Sequence, residues 1–125
     1  NPAYRRENFA FKPLSADKVA DMYERSAVII DSPQSSQTGL TMRTLEAVGS
    51  RRKLITANSA VRDYDFYMNG DVFVSTEGAL PPRSFFDCPF NELPPSVYTS
   101  YSLSAFVGEL LGERATYQGY RRDLR

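Results

Sequence analysis

Residues 27–58 have the sequence AVIIDSPQSSQTGLTMRTLEAVGSRRKLITAN, and the order of elements in this stretch decides the fold. Residues 27–31 form an apolar, β-branched run that is typical of a strand buried on both faces. A polar loop follows, and Gly39 begins a segment with apolar residues at helical spacing that closes at Gly49. Residues 53–57 form a second apolar run. This order predicts two parallel neighbouring strands joined by a crossover helix over 39–48.

The loop between the first strand and the helix is the expected ligand site. In open α/β sheets, ligands bind beyond the carboxyl ends of the strands, and the unpaired N–H groups at the start of the next helix suit phosphate. We therefore expect Gly39, Leu40 and Thr41 to offer backbone donors to a phosphate group, and Gly39 permits close approach. A simple helix cap and turn is the alternative interpretation of these three residues.

Two further elements complete the predicted sheet region. Residues 16–25 predict a helix with an apolar face formed at helical spacing by Val19, Met22 and Tyr23, which we expect to pack on the sheet. Residues 71–75, with the sequence DVFVS, predict a third buried strand.

Prolines interrupt regular structure in the last third of the chain. Residues 80–95 contain two Pro-Pro pairs, which predict a long connection without continuous regular structure. Short helices are expected over 95–101 and 105–112, the second capped by Ser102 or Ser104. Upstream, residues 59–68 are aromatic and acidic, and they predict an irregular segment with one helical turn.

These elements together predict the fold class. We expect one α/β domain over 1–125, a Rossmann-like three-layer arrangement with a small parallel sheet, helices on both faces and C-terminal helices. A short edge strand is expected within 1–12, and a terminal helix or tail over 113–125.

Composition narrows the function classes. The 125 residues carry 15 basic and 15 acidic side chains, so the chain lacks the global positive field of nonspecific nucleic-acid binders, and no nucleic-acid partner is expected. A single cysteine and no histidine exclude an intrachain disulfide and a Cys- or His-rich metal site, and a reducing, cytoplasmic location fits best. No apolar run approaches the roughly 20 residues of a membrane span. The absence of a starting methionine suggests a piece of a longer protein.

Residues 37–46, with the sequence QTGLTMRTLE, carry a resemblance to a known protein family. The segments that carry it further are Gly49, KLIT at 53–56, Asn58, YDFY at 64–67 and YSLS at 101–104. This pattern resembles the carboxy-terminal half of GT-B glycosyltransferases from bacterial capsule and lipopolysaccharide synthesis.

The resemblance implies a half-domain that binds a nucleotide-diphosphate sugar as donor substrate, with no cofactor and no protein-bound metal. The helix dipole and basic side chains would stabilise the leaving diphosphate. An amino-terminal half would supply the acceptor site, and the full-length protein would associate peripherally with the inner face of the membrane. In related retaining families two glutamates lie eight positions apart. Glu46 matches the second, whereas Thr38 stands at the first position, where it and Gln37 offer only neutral hydrogen bonds.

The candidate site residues each have a second interpretation. Glu46 is a candidate for binding the ribose hydroxyls, or else a solvent-facing helix glutamate. Arg43 would bind phosphate or pair with Asp31, or else be an exposed arginine. The substrate-binding set that we predict is Gln37, Thr38, Gly39, Leu40, Thr41, Arg43, Glu46 and Asn58; catalytic residues stay unassigned.

Aromatic side chains follow Asn58 at 64–67. They would stack on a base or sugar, although core packing is the stronger expectation for Phe66. Asp63 and Asp65 are candidate acids without a third metal ligand in sequence.

A second function class stays open, a non-catalytic α/β module for protein interaction or regulation. A receiver-like version would need clustered acids after the first strand and a lysine late in the chain. Asp31 stands alone there and no lysine follows Lys53, which argues against that version.

Overall fold

The structure, a computed structural model, describes residues 12–32 and 39–112. It is an α/β domain with a three-stranded parallel sheet in the order β1-β2-β3. The strands are β1 (Val28–Asp31), β2 (Lys53–Thr56) and β3 (Val72–Val74). Ile29 lies opposite Leu54, which in turn lies opposite Val72. The predicted parallel sheet and the crossover between its first two strands are confirmed.

Five α-helices and two 3₁₀ helices accompany the sheet in the described part of the chain. The α-helices are α1 (Ala16–Glu24), α2 (Met42–Gly49), α3 (Arg83–Asp87), α4 (Pro95–Ser100) and α5 (Leu103–Leu110), and the 3₁₀ helices are Ser59–Asp63 and Asp65–Asn69. None of the described helices has the length and apolar character that crossing a membrane requires. The expected edge strand and the terminal helix or tail fall in 1–11 and 113–125, outside the described residues.

The crossover helix α2 begins at Met42 and not at Gly39, so its predicted start is corrected. Thr41 is the N-cap, and its Oγ1 accepts a hydrogen bond from the Thr44 N–H at 3.0 Å. The Gly39 carbonyl instead accepts a hydrogen bond from the side chain of Asn58 at 2.8 Å. Because that carbonyl points to a neighbouring loop, the helix starts after it.

The core lies against one face of the sheet. Val48 of α2 packs there with the two 3₁₀ helices, β3 and the connection before α4; the buried cluster comprises Val48, Val61, Phe66, Val74 and Leu93. Ala47 and Thr44 of α2 are also fully buried. The crossover helix is therefore fastened to the sheet by close packing, and loss of these contacts would cost several kcal/mol.

The other face of the sheet is only partly covered. Ile30 of β1 is 67% exposed, so the expectation that β1 is buried on both faces is wrong. Side chains alternate along a strand, and register places Ile30, Ile55 and Phe73 on this same face. Phe85 of α3 lies against Phe73, with ring centroids 6.1 Å apart. The cover thus lies at the β3 side and does not extend over Ile30.

Helix α3 lies within the proline-rich passage, for which the sequence predicted no regular structure. Pro82 occupies its N-cap position, where a missing N–H costs nothing, so a single turn forms between the prolines. Lys53 of β2 fastens it, because its Nζ donates to the carbonyl oxygens of Phe85 at 2.5 Å and Cys88 at 2.6 Å.

The lysine is buried together with a carboxylate. Lys53 Nζ lies 3.8 Å from Asp71 Oδ1, and both side chains are almost fully buried. Burial raises the pKa of the Asp71 carboxyl, while the hydrogen bond from the Asn91 N–H acts in the opposite direction.

Helix α1 differs from its prediction in how it is attached. None of its residues is buried, and Met22 of the expected apolar face is exposed. Arg52, just before β2, donates to the carbonyl oxygens of Tyr23 at 2.9 Å and Glu24 at 2.8 Å. Polar contacts at its carboxyl end, rather than apolar packing, therefore hold α1.

Tyr101 and Ser102 join the two C-terminal helices. Pro95 opens α4 at its first turn, and Ser102 caps α5 by accepting from the Ala105 N–H at 3.2 Å. The cap at Ser102 is one of the two that the sequence predicts. Both helices are confirmed close to their predicted positions.

Candidate functional site

A cleft of about 550 Å³ opens on the outer side of α2, facing Tyr64 and the joint between α4 and α5. Its lining residues are Leu40, Met42, Leu45, Glu46, Tyr64, Ser100, Tyr101, Ser102, Leu103, Phe106 and Glu109. The volume lies within the range of roughly 300–1,000 Å³ that small-molecule sites occupy, and most of the lining is apolar.

Helix α2 packs into the core with one face and lines the cleft with the opposite face. Thr44, Ala47 and Val48 are buried in the domain, whereas Met42, Leu45 and Glu46 line the cleft. Each set has the spacing i, i+3, i+4, which places its members on one side of a helix, and the two sets point about half a turn apart. Since the core face is tightly packed, the cleft face is held in a fixed orientation.

The opposite wall depends on Tyr101. Its hydroxyl donates to Asp65 Oδ1 at 2.6 Å, and its ring packs edge-on against Phe66 with centroids 5.2 Å apart. The joint between α4 and α5 is thereby fastened to the second 3₁₀ helix. Helix α5 itself buries no residue, and its cleft residue Phe106 is 55% exposed.

The cleft is acidic as well as apolar. Among the described residues that line it, Glu46 and Glu109 are carboxylates and none is basic. Such a lining favours a neutral, flat group that offers hydroxyl donors, and it disfavours a phosphate. The basic residue of α2 is Arg43, which is exposed one helical turn before Glu46 and is the candidate for binding a phosphate.

Glu46 has a partner from outside α2. The hydroxyl of Tyr23, on α1, donates to Glu46 Oε2 at 2.7 Å. Burial raises the pKa of the Tyr23 hydroxyl to about 12, and the hydrogen bond to Glu46 acts in the same direction. The hydroxyl therefore remains a donor throughout the physiological pH range.

Leu40 and Glu46 are the predicted site residues that the cleft contains. Gly39 and Asn58 instead join two loops, and Thr41 caps α2. Asn58 donates to the Gly39 carbonyl and accepts from the Ala60 N–H at 3.0 Å, so both ends of its amide have protein partners.

Arg43, also predicted, does not line the cleft. Arg43 is exposed and forms no hydrogen bond or ion pair with another described residue, including Asp31. The Asp31 carboxylate is buried and accepts from the Thr56 hydroxyl at 2.9 Å. Gln37 and Thr38 lie outside the described residues.

Sequence reasoning missed the contribution of α5 and of α1. Phe106 and Glu109 appear in the sequence as ordinary helix residues, and the YSLS segment at 101–104 carries only part of the resemblance. Tyr23 contacts Glu46 across 23 positions, and no local periodicity reveals such a pair. Tyr64, considered for stacking on a base or sugar, does line the cleft.

The described residues contain no group of three His, Cys, Asp or Glu side chains arranged to hold a metal ion. Asp63 and Asp65 do not form such a group.

The chain matches no protein-family model, no curated protein and no solved structure.

Proposed function

We propose that this domain binds the nucleoside diphosphate part of a nucleotide-sugar donor, as the donor half of a glycosyltransferase in bacterial capsule or lipopolysaccharide synthesis. The observation that supports it best is the 550 Å³ cleft in which Glu46 stands among apolar and aromatic side chains. Glu46 is also the acid that the resemblance assigns to the donor nucleotide.

The lining of the cleft favours the nucleoside over the phosphates. Tyr64 and Phe106 offer aromatic surfaces for a base, and the Glu46 carboxylate accepts hydrogen bonds from ribose hydroxyls. The two cleft carboxylates would repel a diphosphate. In the proposed pose the diphosphate therefore lies outside the cleft, toward Arg43 and the amino end of α2, whose first N–H groups favour anions.

The reaction needs a second half-domain. GT-B chemistry takes place between two domains, so an amino-terminal half would carry the acceptor site and the base. The full-length enzyme would work in the cytoplasm at the inner face of the membrane. For the 125-residue chain we expect weak nucleotide binding and no sugar transfer, and measurable turnover by this chain alone would contradict the proposal.

Calorimetric titration with UDP and GDP tests the binding site. We expect the parent chain to bind one of them, and Glu46→Gln to lose about 1–3 kcal/mol of affinity because a charge-assisted hydrogen bond is weakened. Glu24→Gln is the matched control, since Glu24 is exposed on α1 and does not line the cleft. Equal affinity of Glu46→Gln and the parent would refute the assignment of Glu46.

A non-catalytic interaction module is the second candidate. The observation that favours it is the apolar surface of α5, where Leu103 and Leu110 are 76% and 70% exposed. This candidate predicts that the parent chain binds neither nucleotide and that a protein partner protects residues 33–41.

A further inference from the structure

The two carboxylate oxygens of Glu46 differ in their hydrogen bonding. Oε2 accepts the hydrogen bond from Tyr23 at 2.7 Å, whereas Oε1 accepts none from any described residue. The distance is typical of a hydroxyl bound to a carboxylate, a class of hydrogen bond about twice as strong as a neutral one. A long helix side chain that would otherwise sample several rotamers is thus held at one end.

Helix α1 is placed so that it can make this contact. Its last turn is fastened through the Tyr23 and Glu24 carbonyls to Arg52, which immediately precedes β2. A guanidinium at a helix carboxyl end is favourable for the helix dipole as well as for the carbonyls. Because α1 buries no side chain in the core, these bonds and the Tyr23–Glu46 bond are its main described attachments.

We infer that Tyr23 is a positioning residue for Glu46, which it holds by Oε2 so that Oε1 accepts a hydroxyl of the bound ribose. This inference rests on the proposed nucleotide-binding function. The inference goes beyond that function by assigning a part of the site to α1, which precedes in sequence the segments that carry the resemblance. The carboxylate then receives the ligand in an orientation set before binding, so little side-chain entropy is lost when the ligand arrives.

A purely structural role for Tyr23 predicts a different pattern. If the hydroxyl only ties α1 to α2, its removal lowers stability and weakens every nucleotide by the same factor. If it orients Glu46, its removal weakens only ligands that offer a ribose hydroxyl. The two roles therefore separate when a nucleotide is compared with its 2′,3′-dideoxy counterpart.

The experiment is calorimetric titration of the parent chain, Tyr23→Phe, Glu46→Gln and the double variant. The ligands are UDP, GDP and their 2′,3′-dideoxy counterparts. We expect Tyr23→Phe to weaken the ribonucleotide about fivefold to tenfold and the dideoxy form less than about twofold. The double variant should bind no more weakly than Glu46→Gln alone, because both changes act through one carboxylate.

Tyr98→Phe is the matched control. Tyr98 also donates its hydroxyl to α2, to the Gly49 carbonyl at 2.8 Å, but it does not line the cleft. We expect this variant to leave the ratio of the two affinities unchanged. Circular dichroism and thermal melting verify that each variant is folded.

Each contrary outcome has a distinct meaning. Equal weakening of both ligand forms by Tyr23→Phe overturns the positioning role and leaves a structural tie. A parent chain that responds to Glu46→Gln but not to Tyr23→Phe overturns this inference alone. A parent chain that binds none of the four ligands overturns the proposed function, and the inference with it.

Discussion

Asn58 donates a hydrogen bond of 2.8 Å from its Nδ2 to the carbonyl oxygen of Gly39, which joins the loop after β2 to the loop after β1. The two loops end neighbouring parallel strands, so the bond links the elements that lead into the cleft. The same side chain accepts from the Ala60 N–H and starts the first 3₁₀ helix. Asn58 thus acts here as a buried structural residue.

Replacing Asn58 tests this bridge. We expect Asn58→Asp, which keeps the acceptor for Ala60 but loses the donor to Gly39, to lower the free energy of unfolding by about 1–3 kcal/mol. Urea denaturation measures the change. Ser59→Ala at the neighbouring exposed position is the control and should alter stability by less than about 0.5 kcal/mol. Near-parent stability of Asn58→Asp would show that the loops are held by other contacts.

Phe106 offers a prediction about the outer wall of the cleft. Phe106→Ala should weaken nucleotide binding by about 1–3 kcal/mol, because an aromatic surface for the base is removed. Stability should change little, since the ring is 55% exposed. Leu111→Ala removes an exposed apolar side chain that does not line the cleft and is the control. Equal effects of the two substitutions in calorimetry would argue against stacking at Phe106.

The buried lysine in β2 gives a stability prediction. Lys53→Met keeps the aliphatic stem but removes the ammonium, leaving the Phe85 and Cys88 carbonyls and the Asp71 carboxylate without their cation. Loss of one partner of a buried pair costs about 3–5 kcal/mol, so urea denaturation should show a large decrease. Lys18→Met, on the exposed side of α1, should leave stability unchanged. A decrease below about 1 kcal/mol would contradict this account.

The Tyr23–Glu46 hydrogen bond predicts a dependence on alkaline pH. The pKa of Tyr23 is raised from 10.0 to about 12 by burial and by Glu46, with Asp31 adding to the shift and Arg43 opposing it. The folded state therefore keeps this proton where the unfolded state loses it, and the stability that the hydroxyl contributes is present below pH 10 and lost between pH 10 and about 12.

The difference between the parent and Tyr23→Phe isolates this contribution from that of the other seven of the 8 tyrosines. The difference in the free energy of unfolding should be constant below pH 10 and shrink toward zero by about pH 12. A difference that is independent of pH across this interval would show that the hydroxyl is not held as described.

Local patterns predicted the parallel sheet, because strand runs and a crossover helix are encoded in short stretches such as 27–31 and 53–57. They did not predict where α2 begins. Gly39 and Thr41 are both suitable residues for a helix start, and the choice depends on Asn58, a residue from another loop. Likewise, Ile30 belongs to a strongly apolar run, yet its exposure depends on how far α3 extends over the sheet.

The candidate site likewise contains some residues that the sequence predicted and others that it did not. Glu46 was predicted because a continuous motif surrounds it. Tertiary structure alone brings Phe106 to the cleft and the Tyr23 hydroxyl to the Glu46 carboxylate. Asn58 belongs to the wider pattern that carries the same resemblance, but its amide is occupied within the protein. A motif residue can therefore shape a site without touching its ligand.

The two walls of the cleft differ in how much of the domain must open to release their backbone amides. The amides of α2 lie on a helix anchored by Ala47 and Val48, so their hydrogen exchange should require near-global unfolding, whereas α5 buries nothing and should exchange through local opening. A ligand that bridges both walls adds RT ln(1 + [L]/Kd) to the free energy of that local opening. The exchange rate of α5 thereby becomes a direct gauge of ligand affinity, one that needs neither turnover nor a labelled ligand.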